Sequence, residues 1–72
     1  MMFDWRTTIL FLRDGRRVRQ SNWKLGRYIC LCRGKIVDST GMEIEQEKLQ
    51  EFEKNIHWKE YLEIFHGKRI GS

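Results

Sequence analysis

Two cysteines are the most reactive side chains of this 72-residue chain, and they stand two positions apart, at Cys30 and Cys32. On a β-strand, residues i and i+2 lie on the same face, so both thiols would point in one direction. A disulfide at this separation is strained. Zinc would need further ligands, and His57 and His66 follow at a spacing unlike that of a zinc finger. We therefore expect two small buried thiols, no disulfide, no metal or other cofactor, and a reducing, cytoplasmic setting.

Catalytic chemistry has little support in the sequence. Covalent catalysis needs a nucleophile held beside a base, with a third group to orient that base. A set such as Cys32, His57 and Asp38 can be drawn, but no spacing in the chain supports it. The sequence contains no glycine-rich phosphate loop and no zinc signature. We therefore expect a protein that is not an enzyme.

Basic residues are concentrated in the first part of the chain. The whole sequence holds 14 Lys and Arg against 10 Asp and Glu, a net charge of +4. Residues 1–40 hold nine of the basic and three of the acidic residues, which is +6, whereas residues 41–72 hold five and seven, which is −2. A basic face on a small domain is typical of a polyanion binder. The same charge also suits a solvated surface or an acidic protein partner.

Aromatic side chains lie among these basic residues, as in surfaces that stack on unpaired bases. Trp23, in a polar segment beside Lys24, is the best candidate for an exposed ring. Trp5 and Trp58 are expected in the core or in an interface. The predicted nucleic-acid-binding residues, with DNA and RNA left open, are Arg13, Arg16, Arg17, Arg19, Trp23, Lys24, Arg27, Arg33 and Lys35.

The first of two predicted β-hairpins spans residues 5–20. Residues 5–13 are rich in β-branched and aromatic side chains, which favour strands. Asp14-Gly15 follows, and this pair between strand-like runs is a strong signal for a type I′ turn. Residues 16–20 would then form the second strand.

A second predicted hairpin follows a polar connector at residues 21–26. Its strands are residues 27–32 and 35–38, and its turn is Arg33-Gly34, a weaker signal because Gly stands only at the second position. The first of these strands is apolar on both faces, with Ile29 and Leu31 on one and Tyr28 and Cys30 on the other. Such a strand is usually central in a sheet or lies at an interface.

The rest of the chain is predicted to be helical. Good helix formers run from Glu43 to Lys54. Thr40 and Glu43 fit a capping box; alternatively, residues 42–44 form a short fourth strand and the helix begins near Glu45, which is the option we favour. The helical pattern would end at Gly67, before a short basic tail.

This helical stretch carries two apolar stripes that point to nearly opposite sides. The first is Leu49, Phe52 and Ile56, and the second is Trp58, Tyr61, Leu62 and Phe65. Either the chain breaks near Asn55, or the second stripe meets a partner. A chain this short gains from extra burial. We therefore expect a two-fold homodimer whose interface is formed by the second stripe, Trp58, Tyr61, Leu62 and Phe65.

Together these patterns predict a single α+β domain, residues 1–72. Two hairpins would form an antiparallel sheet of three to four strands, with a broken C-terminal helix packed on it. No apolar run approaches the ~18 residues of a membrane span, and the first residues do not fit a signal peptide. We expect a small basic binding module that contacts nucleic acid through an Arg-rich sheet surface. The alternative is a protein-interaction regulator or inhibitor, like small proteins of phages and mobile elements, acting through the apolar helix face.

Overall fold

The N-terminal segment forms a helix, α1 (Trp5–Arg13), in a computed structural model that describes residues 2–62. Asp4 is its N-cap, and the Asp4 side chain accepts the Thr7 backbone N–H at 3.0 Å. This bond satisfies one of the amide groups left without a partner at a helix start. The predicted first strand is therefore wrong, because packing of one helical stripe outweighs the strand preference of the individual side chains.

The Asp14-Gly15 pair ends this helix and does not form a hairpin turn. Gly15 has φ of +83°. Its N–H donates to the Leu12 carbonyl at 3.0 Å, and the Arg16 N–H donates to the Phe11 carbonyl at 3.0 Å. These two bonds define a Schellman motif, in which Gly supplies the left-handed conformation. The first predicted hairpin is therefore replaced by a helix, a C-terminal cap and one strand.

Four strands form one antiparallel sheet, in the order β3-β2-β1-β4. They are β1 (Val18–Gln20), β2 (Ile29–Cys32), β3 (Lys35–Asp38) and β4 (Trp58–Glu60). The β2–β3 hairpin confirms the second predicted hairpin. Its turn residues, Arg33 and Gly34, both have positive φ, +54° and +78°, as a type I′ turn requires. The α+β class with an antiparallel sheet of four strands is confirmed.

The second half of the chain contains one short helix, α2 (Gln46–Glu53), with Glu45 as its N-cap. Residues 42–44 make a single bridge to β3, Glu43 with Val37, and do not form a full strand. The expected break is present: the helix ends at Lys54, and the chain turns through Asn55 into β4. The second predicted helix is wrong over residues 58–60, which pair with β1 as a strand.

Both helices pack against the same face of the sheet and enclose the core. Its buried side chains are Leu12, Val18, Ile29, Phe52 and Trp58. Trp58 is 0% exposed. Its indole N–H donates to the Phe52 carbonyl at 3.2 Å, so the polar atom of this ring is satisfied inside the core.

Candidate nucleic-acid interface

The sheet has one face turned away from the helices, which we call the open face. Val18, Ile29 and Trp58 are buried beneath the helices, so their neighbours along each strand point to the opposite side. None of the elements described for residues 2–62 covers this side. Its side chains are Arg17, Arg19, Tyr28, Cys30, Cys32, Lys35, Val37, Lys59 and Tyr61.

Positive charge dominates the open face. Arg19 and Lys59 are directly opposite in the β1–β4 register. Like charges in this arrangement destabilise a sheet, so the pair costs folding energy that an anionic partner would recover. Lys35 lies two strands away, and its Nζ is 3.5 Å from a carboxylate oxygen of Glu43 at the sheet edge. Both side chains of this ion pair are more than half exposed, so it contributes little to stability.

Two tyrosines provide an aromatic surface in the middle of the open face. The ring centroids of Tyr28 and Tyr61 are 4.7 Å apart, and the rings are inclined by 37°. The guanidinium carbon of Arg17 lies 4.8 Å from the centre of the Tyr28 ring, within the range of a cation–π contact. The Tyr61 N–H donates to the Arg17 carbonyl at 2.8 Å, which fixes both residues in register. Flat rings beside guanidinium groups are the surface on which bases stack.

Arg19 also positions the connector between β1 and β2. Its guanidinium donates to the carbonyls of Gln20, at 3.2 Å, Ser21, at 3.3 Å, and Trp23. Because these acceptors are neutral, they hold the side chain without cancelling its charge. Arg19 therefore carries positive charge on the open face and fixes the course of the connector.

The connector residues predicted from sequence lie at one end of the sheet. Trp23 is half-buried, with ring centroids 5.8 Å from Phe52 and 5.6 Å from Trp58. The prediction of an exposed Trp23 ring is therefore wrong, because the connector folds this side chain onto the core. Arg27 places its guanidinium carbon 5.2 Å from the centre of the Trp23 ring, and Lys24 is exposed.

Three other predicted cations lie away from the open face. Arg13 is exposed in the last turn of α1, and Arg33 is exposed at the tip of the β2–β3 hairpin. Arg16 forms ion pairs with Asp14, at 2.8 Å, and with Glu60, at 3.3 Å. The structure thus brings Arg17, Arg19 and Lys35 onto one face and leaves these three outside it.

The predicted apolar helix face is not present as a helix in residues 58–62. Trp58 lies in the core, which corrects its assignment to an interface, and Tyr61 stacks on Tyr28 on the open face. Leu62 is exposed, and Phe65 lies outside the described residues. The argument for a dimer from two stripes of one helix therefore no longer applies, since the chain breaks at Asn55 and returns Trp58 to the core.

The cysteines and histidines do not assemble a reactive centre in the described part of the chain. Cys30 is half-buried and Cys32 is exposed, so the expectation of two buried thiols is wrong, and both are free. The register places Cys32 opposite Lys35 and Asp38 opposite Ile29, at opposite ends of the hairpin. Within residues 2–62 there is no group of three or more His, Cys, Asp or Glu side chains placed to hold a metal ion. His66 is outside these residues.

Asp38 has a structural role at the end of β3. One of its carboxylate oxygens accepts hydrogen bonds from the Thr40 hydroxyl at 2.6 Å, the Thr40 N–H at 2.9 Å and the Met42 N–H at 3.1 Å. The bond from the Thr40 hydroxyl is the main reason that the pKa of Asp38 lies below its ordinary value. An ionised carboxylate thus holds the turn that leads to α2.

Sequence reasoning missed three contributors to the open face. The sequence prediction does not include Lys59, places Tyr61 in a helical interface, and treats Tyr28 only as an apolar residue of the second hairpin. The available signal was the alternation in Trp58-Lys59-Glu60-Tyr61: on a strand, residues three apart lie on opposite faces, so Tyr61 points away from the core when Trp58 points into it. Three paired residues are too few for such alternation to be distinctive.

Comparisons with protein families, with curated proteins and with solved structures find no match to this chain. Among residues 2–62, no helix is both long enough and apolar enough to cross a bilayer.

Proposed function

We propose that this chain is a non-enzymatic binding module that holds single-stranded nucleic acid on the open face of its sheet. The observation that carries the proposal is the pairing of Arg19 directly with Lys59 beside two stacked tyrosines. Two cations held opposite each other cost stability in the free protein. Phosphates would relieve this repulsion, and the neighbouring rings offer a surface for bases.

The aromatic pair favours single strands over duplex. In a duplex the bases stack on each other and present only their edges, whereas unpaired bases can stack on aromatic side chains. Tyr28 and Tyr61 are both half-buried, so their packing in the fold holds the rings in place before a ligand arrives. Side chains that are already ordered lose less conformational entropy when they bind. Stacking tolerates any base, so the proposal implies weak sequence preference.

The direct test is the anisotropy of a fluorescein-labelled twelve-nucleotide oligothymidylate titrated with the protein at several salt concentrations. A twelve-base-pair duplex of mixed sequence serves as the comparison. We expect tighter binding to the single strand and a linear fall of log K with log salt. Lys35→Gln should reduce the steepness by about 0.7, the contribution of one phosphate contact in a single strand.

A matched variant distinguishes the effect of a charge on the open face from the effect of the overall net charge. Lys54→Gln removes the same charge from the C-cap of α2, on the side of the sheet that the helices cover. It should leave the salt dependence unchanged. Failure of the wild-type protein to bind at low salt, or equal effects of the two variants, would contradict the proposed function.

A further inference from the structure

A cleft of about 610 Å³ lies at the end of the sheet where β1 stops and β2 starts. The connector forms one wall, the β3–α2 turn and α2 form the other, and the volume falls within the range typical of small-molecule sites, about 300–1,000 Å³. Its apolar lining includes Trp23, Ile29, Ile44 and Phe52, and its charged lining residues are Arg27, Asp38, Lys48 and Glu51. The cleft therefore combines a flat aromatic wall with a floor formed by the hydrophobic core.

Tyr28 connects this cleft to the open face. It lines the cleft, and its ring is also the one that contacts Tyr61 and lies beneath the Arg17 guanidinium. A strand lying across the open face thus reaches the mouth of the cleft at Tyr28 without crossing another element of the described fold. At the rim, Arg27 is exposed and offers a cation where the backbone of such a strand would pass.

Two amide side chains provide polar groups inside the cleft. The Asn55 side-chain N–H donates to the Gln20 side-chain oxygen at 2.9 Å, and the Asn55 oxygen accepts the His57 N–H at 2.7 Å. These bonds fix the orientation of both amides. The Gln20 NH₂ group makes no hydrogen bond to any described residue and belongs to a side chain that lines the cleft. It is a donor suited to a carbonyl oxygen on the edge of a base.

We propose that the cleft receives one unstacked pyrimidine base, thymine or uracil, from the strand bound on the open face. This inference rests on the proposed function and extends it. The base would pack against Trp23 and place a carbonyl oxygen at the Gln20 amide, while its phosphate would lie near Arg27. An unpaired base can be turned out of its strand in this way, whereas a paired base must first be released from its duplex.

Photocrosslinking locates the base directly. The probe is the same oligothymidylate with a single 5-iododeoxyuridine in place of one thymidine, placed in turn at a central and at each terminal position. After irradiation, protease digestion and mass spectrometry identify the crosslinked residue. We expect crosslinks to Trp23 from at least one position, in addition to crosslinks to Tyr28 or Tyr61. In the Gln20→Leu variant the Trp23 crosslink should be lost while most of the affinity remains.

A pair of connector variants keeps the test decisive if Gln20→Leu does not fold. Arg27 lines the cleft, whereas Lys24, also exposed in the connector, does not. Arg27→Gln should weaken binding about fivefold at 0.1 M salt, the contribution of one phosphate contact with a slope of about 0.7. Lys24→Gln should change affinity less than about twofold, because its charge is not at the cleft.

The outcomes distinguish this inference from the proposed function. Crosslinks to Tyr28 and Tyr61 alone, with equal effects of the two connector variants, would show binding on the open face and overturn the cleft assignment. Absence of any binding to the oligonucleotide would overturn both. A Trp23 crosslink together with the larger effect of Arg27→Gln supports both.

Discussion

Replacing Lys59 by Gln should make the protein more stable and at the same time a weaker binder. Lys59 stands directly opposite Arg19 in the sheet, and no ion pair to Lys59 is found among residues 2–62. Cross-strand charge pairs are worth roughly 0.2–1 kcal/mol, with a destabilising sign for like charges. Arg19 is turned towards the connector carbonyls, so we take a value near the middle, about 0.5 kcal/mol. For a domain of this size that gain raises Tm by about 2–4 °C.

Under the proposed function, the same substitution should remove one phosphate contact. A slope of about 0.7 per contact in a single strand corresponds to a loss of about fivefold in affinity at 0.1 M salt. Thermal unfolding followed by circular dichroism and the anisotropy titration should be run on one preparation of each protein. Raising the salt concentration should reduce both effects, since each is electrostatic.

Lys54→Gln is the control with the opposite expectation for stability. Lys54 caps the C-terminus of α2, where a cation is favourable, so its loss should lower the free energy of unfolding by roughly 0.3–1 kcal/mol and leave binding unchanged. A lower Tm for Lys59→Gln would refute the like-charge reasoning. A higher Tm with unchanged binding would leave that reasoning intact and show that ligand does not use the open face.

Three further variants test separate parts of the structure. Gly15→Ala should lower the free energy of unfolding by about 1–2 kcal/mol, because φ at this position is +83° and L-residues are strained there. No atom lies within 4 Å of the added methyl group, so backbone strain is the only cost. An unchanged urea midpoint would contradict the Schellman cap. Tyr61→Leu should weaken oligothymidylate binding by about 1–3 kcal/mol, whereas Tyr61→Phe should retain it, because stacking needs the ring and not the hydroxyl. Equal losses of affinity for the two variants in anisotropy titrations would contradict stacking. Asp38 has a depressed pKa in the fold, so its stabilisation is present above the ordinary value of 3.8 and is lost as pH falls through the lower folded value. Asp38→Asn should therefore lose less stability than wild type when urea unfolding is compared over that acidic range, and identical pH profiles would argue against the role of this carboxylate.

The hairpin of β2 and β3 and the break at Asn55 were predictable because their signals are local. Arg33-Gly34 stands between two short runs with strand character, and both residues adopt the positive φ that the turn needs. The break at Asn55 follows from two apolar stripes that cannot both face one sheet. The structure resolves that conflict by changing the type of the second element to a strand.

The N-terminal helix was missed because its side chains favour strands. The signals for the helix were at its ends: Asp4 can cap an N-terminus, and Gly15 can end a helix as readily as it can form a hairpin turn. Whether Gly15 ends a helix or forms a hairpin turn depends on which of the preceding side chains are buried in the core. Leu12 and Thr8, four apart, are both buried on one helical face, a tertiary contact that the sequence alone does not reveal.

The positive charge of the open face was predictable, but which residues lie on that face was not. The prediction of Arg17, Arg19 and Lys35 rests on the clustering of basic residues in the first 40 positions. Lys59 and Tyr61 joined them only through pairing between strands about 40 residues apart in sequence. Such long-range register is fixed by burial of Trp58 rather than by any turn.

The position of β4 has a consequence for how the protein folds as it is made. β1 lies in the interior of the sheet, and one of its two partners is β4, the last strand described. Trp58, the largest buried side chain, lies in β4 and is therefore synthesised after every other core residue. A nascent chain that ends at residue 57 holds the local β2–β3 hairpin and the sequences of both helices, yet it lacks the ring against which Trp5, Trp23 and Phe52 pack. A chain truncated after residue 57 should therefore be cleaved readily by protease. Chains only a few residues longer should acquire resistance in a single step.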